Sequence, residues 1–282
     1  MTLASDHSAR QYAARADAPI GIFDSGVGGL SVLRHVQQHL PQEALLYVAD
    51  AGFAPYGGRT DAFLDARVLA IGAYLAQRQV KAIVVACNSA TAASIAALRH
   101  AYPDLPVVGV EPGLKPAAAA SANRIVGVMA TEATLRSARF ALLRESIGQA
   151  SGVRFVMQAC VGLADQIEAG ATDTVETLTL LEQHVTILLD QGVDTLVLGC
   201  THYPFVQAHI ERVVARRGGA VTVIDTGAAV ARQLGRVLAE QRLLRSGVPV
   251  PVTAVTTGSA ASLQQAFQLL LQQSVEVSPL GA

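Results

Sequence analysis

Two cysteines stand at matching points of two strand-like runs. Cys87 follows Ala82-Ile83-Val84-Val85-Ala86 and precedes Asn88-Ser89-Ala90-Thr91. Cys200 follows Thr195-Leu196-Val197-Leu198-Gly199 and precedes Thr201-His202-Tyr203. A thiol at a strand end, beside a helix N-terminus, is in a setting that stabilises the thiolate. Two such thiols on opposite sides of one carbon can do what one cannot: the thiolate removes a proton from a stereocentre, and the thiol returns a proton to the opposite face. The obstacle is the weak acidity of a Cα–H beside a carboxylate. The site must hold that carboxylate with N–H and hydroxyl donors and exclude water. Ser25 with the Gly26–Gly29 turn, Tyr56-Gly57, Asn88-Ser89 and Thr201 supply such donors. His202 is the proton partner expected beside Cys200, and Asp24, with Asp50 as a second candidate, the one expected beside Cys87.

Each of these residues has a plainer reading. Free cysteines are commonly buried packing residues, and Cys160, in Val156-Met157-Gln158-Ala159-Cys160-Val161 with no polar sequel, is read that way. Asp24 could serve only as a turn former, and Thr131 and Thr134 read first as helix-capping residues. A metal site at Cys200 and His202 has no second ligand pair at zinc-like spacing.

The elements that must position these groups alternate strand and helix. Strands are expected at 19–24, 44–49, the run before Cys87, 106–110, 124–129, 153–157, the run before Cys200, 220–224 and 252–256. Helices are expected after the Ser25–Gly29 turn, at 61–78, after Cys87 through Leu98 with Asn88, Ser89 and Thr91 as N-cap candidates, after Thr131, at 175–191, from about Pro204, at 228–245 and near 259–272. Continuous apolar strands separated by helices define an α/β fold with parallel sheets buried on both faces. Ligands of such sheets bind beyond the carboxyl ends of the strands, where both cysteines fall. The glycine turn after Asp24 is not a dinucleotide fingerprint, because Ser31 stands at the sixth position from Gly26.

The pattern restarts after Glu111-Pro112-Gly113. The expected plan is therefore two similar lobes of mostly parallel sheet flanked by helices, related by a pseudo-twofold, with the active site in the cleft between them. Lobe one takes residues 19–112 and 225–282 and carries Cys87; lobe two takes 113–224 and carries Cys200; residues 1–18 form a flexible extension. That extension carries Asp6, Arg10, Arg15 and Asp17 and no apolar core, so it is not read as a secretory signal. The expected compartment is the cytoplasm, where thiols stay reduced.

A formal net charge of −1 and the lack of any basic run argue against nucleic acid as a partner. Apolar stretches are interrupted well before spanning length, so no membrane partner is expected. Lys81 and Lys115 are the only lysines, which leaves little for a pyridoxal-phosphate Schiff base.

Asp24-Ser25-Gly26-Val27-Gly28-Gly29-Leu30, Pro55-Tyr56-Gly57, Cys87-Asn88-Ser89-Ala90-Thr91 and Gly199-Cys200-Thr201-His202-Tyr203-Pro204 resemble the motifs of the glutamate racemases, in that family's order and spacing. The resemblance extends to Glu111-Pro112-Gly113, Ala130-Thr131-Glu132-Ala133-Thr134 and Asp225-Thr226-Gly227-Ala228 and covers roughly residues 19–268. It implies that Cys87 and Cys200 are the two acid/base residues. Asp24, Ser25, Tyr56, Gly57, Asn88, Ser89, Thr201 and His202 would hold the substrate, with Asp24 and His202 also assisting the thiols. It further implies an isomerase independent of cofactor and metal that interconverts L- and D-glutamate, supplies D-glutamate for peptidoglycan and so serves cell wall biogenesis and cell shape. A homodimer and a cell-wall-precursor activator are partners the family admits. Two positions depart from the pattern: Ser89 stands where the family usually has Thr, and Phe53 where many members have Arg. The alternatives are a racemase of another amino acid, aspartate-type, in the same superfamily, and a non-catalytic amino-acid-binding protein on this fold.

Overall fold

A computed structural model describes residues 15–218 and 220–280; residues 1–14 of the expected extension lie outside the described residues. The chain begins with β1 (Ile20–Asp24), α1 (Leu30–His39), β2 (Leu45–Ala49), α2 (Asp61–Gln77), β3 (Ala82–Val85), α3 (Asn88–Ala101) and β4 (Val107–Gly109). It continues through α4 (Leu114–Ala120), β5 (Ile125–Ala130), α5 (Glu132–Arg136), α6 (Ala138–Ser151), β6 (Arg154–Ala159) and α7 (Leu163–Glu168). Then follow α8 (Val175–Leu189), β7 (Thr195–Gly199), a 3-10 turn at Tyr203–Val206, α9 (Gln207–Arg216) and β8 (Thr222–Ile224). The last elements are α10 (Gly227–Glu240), β9 (Thr253–Thr256), α11 (Ala260–Ala266) and β10 (Val277–Pro279).

Two wholly parallel sheets result, one in the order β10-β9-β2-β1-β3-β4 and the other β6-β5-β7-β8. Both are covered on both faces, which is why their strands read as unbroken apolar runs. In the first sheet Ile20, Ile22, Tyr47 and Val84 face α1 and α10, whereas Phe23, Val48, Ile83 and Val85 face α2 and α3. In the second, Met129, Leu196 and Leu198 pack with α8 and α9, and Val126, Val128 and Val197 with α4 and α6. The chain passes from the first sheet to the second through residues 110–113 and returns through 225–227, so α10, β9 and β10 complete the first unit. Among the described residues no helix is long and apolar enough to cross a membrane.

Several elements differ from expectation. Strand β10 and helices α4 and α7 were not anticipated. The helix expected after Thr131 is two helices, broken at Ser137, which caps the second by accepting from Phe140 N–H. Asn88, Ser89 and Thr91 were the cap candidates for α3, but Cys87 itself is the N-cap residue and Asn88 the first residue of the helix. The helix expected from about Pro204 is present, but its first turn, Tyr203–Val206, is 3-10 and runs directly into α9, so only Cys87 sits at an α-helix N-terminus.

Opposite the strands' carboxyl ends, Lys81 makes a buried ion pair with Glu43. Its ammonium also donates to the carbonyls of Ala16 and Leu243, the latter at 2.8 Å, while Glu43 Oε1 accepts from Arg245 N–H at 2.9 Å. One buried charge pair thus ties three separate segments, at Ala16, Glu43 and Leu243–Arg245, to the start of β3. Substituting Lys81→Met leaves Glu43 as an uncompensated buried charge and should cost about 3–5 kcal/mol. Urea unfolding should detect this loss, and the double substitution Lys81→Met/Glu43→Leu should recover most of it.

Candidate active site

The carboxyl ends of the two sheets meet at a cavity of about 200 Å3. From the first unit come Ser25, the loop Ala54–Gly58, Cys87, Asn88 and Ser89; from the second come Thr131, Cys160, Glu168, Cys200, Thr201 and His202, among others. Both thiols therefore line one space, although their strands belong to different sheets. No lysine or arginine is among the lining residues. An anionic ligand must be held here by N–H, hydroxyl and amide donors, by the N-terminus of α3 and by His202.

The two thiols have different surroundings. Cys87 is buried with Asp24, and its S–H lies 4.0 Å from Ser25 Oγ. Burial, and then the neighbouring Asp24 carboxylate, pushes the Cys87 thiol well above its ordinary range, so it rests protonated. Asp24 itself is raised by burial. Its Oδ2 accepts from Gly29 N–H at 2.8 Å and, more loosely, from Gly26 N–H at 3.4 Å, while Oδ1 is buried without a hydrogen-bond partner. Asp24 thus shapes the glycine turn and also stands against the thiol. It lies behind Cys87 rather than among the cavity-lining residues where its expected substrate contact would fall.

Cys200 Sγ lies 3.5 Å from His202 Nδ1, and His202 Nε2 lies 2.7 Å from Glu168 Oε2. Burial alone would lower the His202 pKa, but its contacts with Cys200 and Glu168 outweigh burial and raise it well above the ordinary value. Glu168 moves the opposite way: burial would raise it, and the hydrogen bond from His202 brings it below its ordinary range. An imidazolium therefore donates from Nε2 to a carboxylate and from Nδ1 toward sulfur.

Asn88 is buried, lines the cavity, and has no partner for either side-chain polar atom. Buried amides are rarely left so, because each unpaired group forfeits its hydration. Ser89 and Thr131 pair their hydroxyls at 2.9 Å across the two units, and Gly57 C=O accepts from Ala133 N–H at 2.9 Å. Ser25 and Thr201 also line the space. Tyr56 lines it too, but its hydroxyl donates to Asp50 Oδ2 at 2.5 Å and is not free for a ligand. Asp50, the alternative partner for Cys87, is instead an anchor for this loop. Its carboxylate also accepts two bonds of 2.8 Å from Arg67 and one of 2.9 Å from Thr257. Phe53 has a role here as well, since the Arg67 guanidinium stacks 3.5 Å above its ring.

Sequence reasoning missed Glu168. It ends the six-residue α7, too short to register as a periodic pattern, and its contacts lie 34 residues away at His202 and 141 away at Val27. Cys160, expected to be a packing residue, is buried yet also borders the cavity.

Fold and site together define a two-unit α/β protein with a thiol from each unit in the intervening cleft. Residues 28–234 match the Asp/Glu/Hydantoin racemase family. A glutamate racemase of Ectopseudomonas mendocina (strain ymp) is 48% identical over 263 residues, 93% of this chain and 98% of the relative. The glutamate racemase from Francisella tularensis subsp. tularensis SCHU S4, solved in complex with D-glutamate, aligns with a TM-score of 0.83 at 25% identity, covering 94% of this chain and 98% of that one. The Escherichia coli glutamate racemase, solved with L-glutamate and the activator UDP-MurNAc-ala, aligns with a TM-score of 0.79 at 31% identity, covering 93% and 97%. The chain belongs to the Asp/Glu/Hydantoin racemase family.

The charge assignments fix the sign of their coupling to folding. The His202 contribution is fully present below its ordinary value of 6.5 and is lost as pH rises through the elevated value. The Glu168 contribution is present above 4.5 and is lost as pH falls through the depressed value. Nitrogen-15 NMR of the His202 ring should show the imidazolium at pH 7.5, and Glu168→Gln should move its titration down toward 6.5. A wild-type ring already neutral at pH 7 would contradict the assignment.

Proposed function

We propose that this chain is a glutamate racemase that interconverts L- and D-glutamate without a cofactor, using Cys87 and Cys200 as a pair of bases on opposite sides of Cα. The observation that carries the reading is one cavity lined by a thiol from each sheet, with the unpaired Asn88 amide and the N-terminus of α3 beside them. The identity of the curated relative and the glutamate bound in the two solved relatives support the choice of substrate.

In the proposed exchange one cysteine acts as the thiolate and the other as the thiol. For one enantiomer Cys200 takes the Cα proton, the electron pair is delocalised into the α-carboxylate, and the Cys87 S–H delivers its proton to the other face. The product state has the proton on Cys200 and the charge on Cys87, which is the state that accepts the opposite enantiomer. The reaction is thus symmetric in its atoms although the two thiols are stabilised differently. Asn88, Ser89, Ser25 and Thr201 hold the carboxylates. The helix terminus and the hydroxyls favour the charge that develops on the α-carboxylate in the transition state. Gly57 shapes the loop wall, and Tyr56 acts through its ring and backbone. Asp24 and His202 assist the thiols on their respective sides.

The product would supply peptidoglycan synthesis. Regulation by a cell-wall precursor is part of the same proposal, supported by the activator bound in the Escherichia coli relative, and addition of UDP-MurNAc-ala to the assay tests it.

The test is incubation of each enantiomer in deuterated water without added cofactor, followed by circular dichroism and proton NMR. Loss of optical activity from both, with deuterium entering at Cα, is the expected result. Cys87→Ala and Cys200→Ala should each lower racemisation by roughly 10⁴-fold, the upper range for a positioned proton-transfer group. Full activity in either variant would eliminate the two-base mechanism. Activity on aspartate but not glutamate would reassign the substrate.

A further inference from the structure

The two sides of the cavity are built differently. Cys87, Asp24 and Ser25 all belong to the first unit, whereas the Cys200 side is completed by both. Glu168 Oε2, which accepts from His202, also accepts from Val27 N–H at 2.9 Å, and Val27 lies in the first unit's glycine turn. At the start of α1, Ser31 Oγ lies 2.8 Å from Thr201 O and 2.9 Å from Gly28 O. The approach is close enough to exclude side chains. A Cβ on Gly26 would fall 2.1 Å from Glu168 Oε1, and one on Gly28 would fall 2.4 Å from His202 Nδ1 and 2.8 Å from Thr201 Oγ1. The turn is braced from within its own unit, where Asp24 holds Gly29 N–H and the Tyr47 hydroxyl donates to Gly26 O at 2.7 Å.

We propose that residues 26–31 are the seat on which the second unit closes, and that Gly28 and Ser31 are positioning residues for His202, so that the Glu168–His202–Cys200 relay is assembled when the two units come together. The proposal rests on the two-thiol reading above. When the cleft opens, Val27 N–H and the Ser31 hydroxyl leave Glu168 and Thr201, and water takes their place. Glu168 then faces a high-dielectric medium, and its hold on His202 weakens. Closure thus does more than exclude water: it brings Cys200 into readiness only when substrate is enclosed. On the Cys87 side the residues beside the sulfur, Asp24 and Ser25, come from its own unit, and the cross-unit contacts there, Ser89 with Thr131 and Gly57 with Ala133, do not touch the thiol.

Gly28→Ala and Ser31→Ala test this; the second removes a contact without adding bulk. Because the two enantiomers have equal free energy, a variant must change kcat/KM equally in both directions. A defect confined to one thiol appears instead in the kinetic isotope effects with α-deuterated L- and D-glutamate. Gly28→Ala should lower kcat by about 10²-fold, as expected for displacement of a catalytic group by about 1 Å, and Ser31→Ala several-fold. In both, the isotope effect on kcat/KM should rise with one enantiomer and fall with the other. In Gly28→Ala the His202 titration should also move down toward 6.5, a readout that does not require turnover. Isotope effects unchanged from the wild type with both enantiomers, together with an unmoved His202 titration, would overturn the proposal. A wild-type protein that does not racemise glutamate, paired with a shifted titration in Gly28→Ala, would overturn the proposed function and leave the seat standing.

Discussion

A parallel sheet offers ligands its carboxyl edge, and this chain brings two such edges together. Everything chemical follows from that juxtaposition. Cys87 and Cys200 are more than a hundred residues apart and follow strands of different sheets, yet line one cavity because each stands within two residues of a strand end there. The cross-unit contacts close this space on two sides. Gly57 with Ala133 and Ser89 with Thr131 form one side, and the glycine turn with Glu168 and Thr201 forms the other. A carbon acid as weak as an amino acid demands such enclosure, because donors aimed at a developing charge are worth most where water does not compete.

Within that enclosure the electrostatics are deliberately uneven. Burial, and then Asp24 beside it, keeps negative charge on Cys87 unfavourable. On the other side the His202–Glu168 ion pair places a positive group against Cys200. A site with two thiolates could not return a proton, and a site with two thiols could not remove one. Two-base exchange needs one of each. The lining holds no lysine or arginine; its polar groups include Ser25, Asn88, Ser89, Thr201 and His202, beside the N-terminus of α3. The neutral donors among them can follow charge as it moves onto the α-carboxylate without fixing the ligand too tightly in its ground state.

The residues legible in the sequence were those whose role is written into a local pattern. An apolar run ending in Cys and small polar residues revealed both thiols, and a glycine turn after a strand revealed Asp24 and Ser25. The alternation of strands and helices pointed to the architecture, with residues 225–282 expected to return to the first lobe. What remained hidden depended on tertiary neighbours. Glu168 ends a helix too short for periodicity to mark. The Tyr56 hydroxyl is engaged because Asp50, Arg67 and Thr257 converge from three separate elements. Cys87 is an N-cap without being a residue type favoured there, because the strand end, not cap propensity, sets where α3 begins.

The central claim is that two thiols share one carbon, and a crystal structure of the protein with glutamate bound measures that directly. The account expects Cys87 Sγ and Cys200 Sγ on opposite faces of Cα, each near the contact distance of a reacting pair, about 3.5 Å, with the carboxylates on Asn88, Ser89 and Thr201. Glutamate bound with Cα against only one sulfur, or with both sulfurs on the same face, would contradict it.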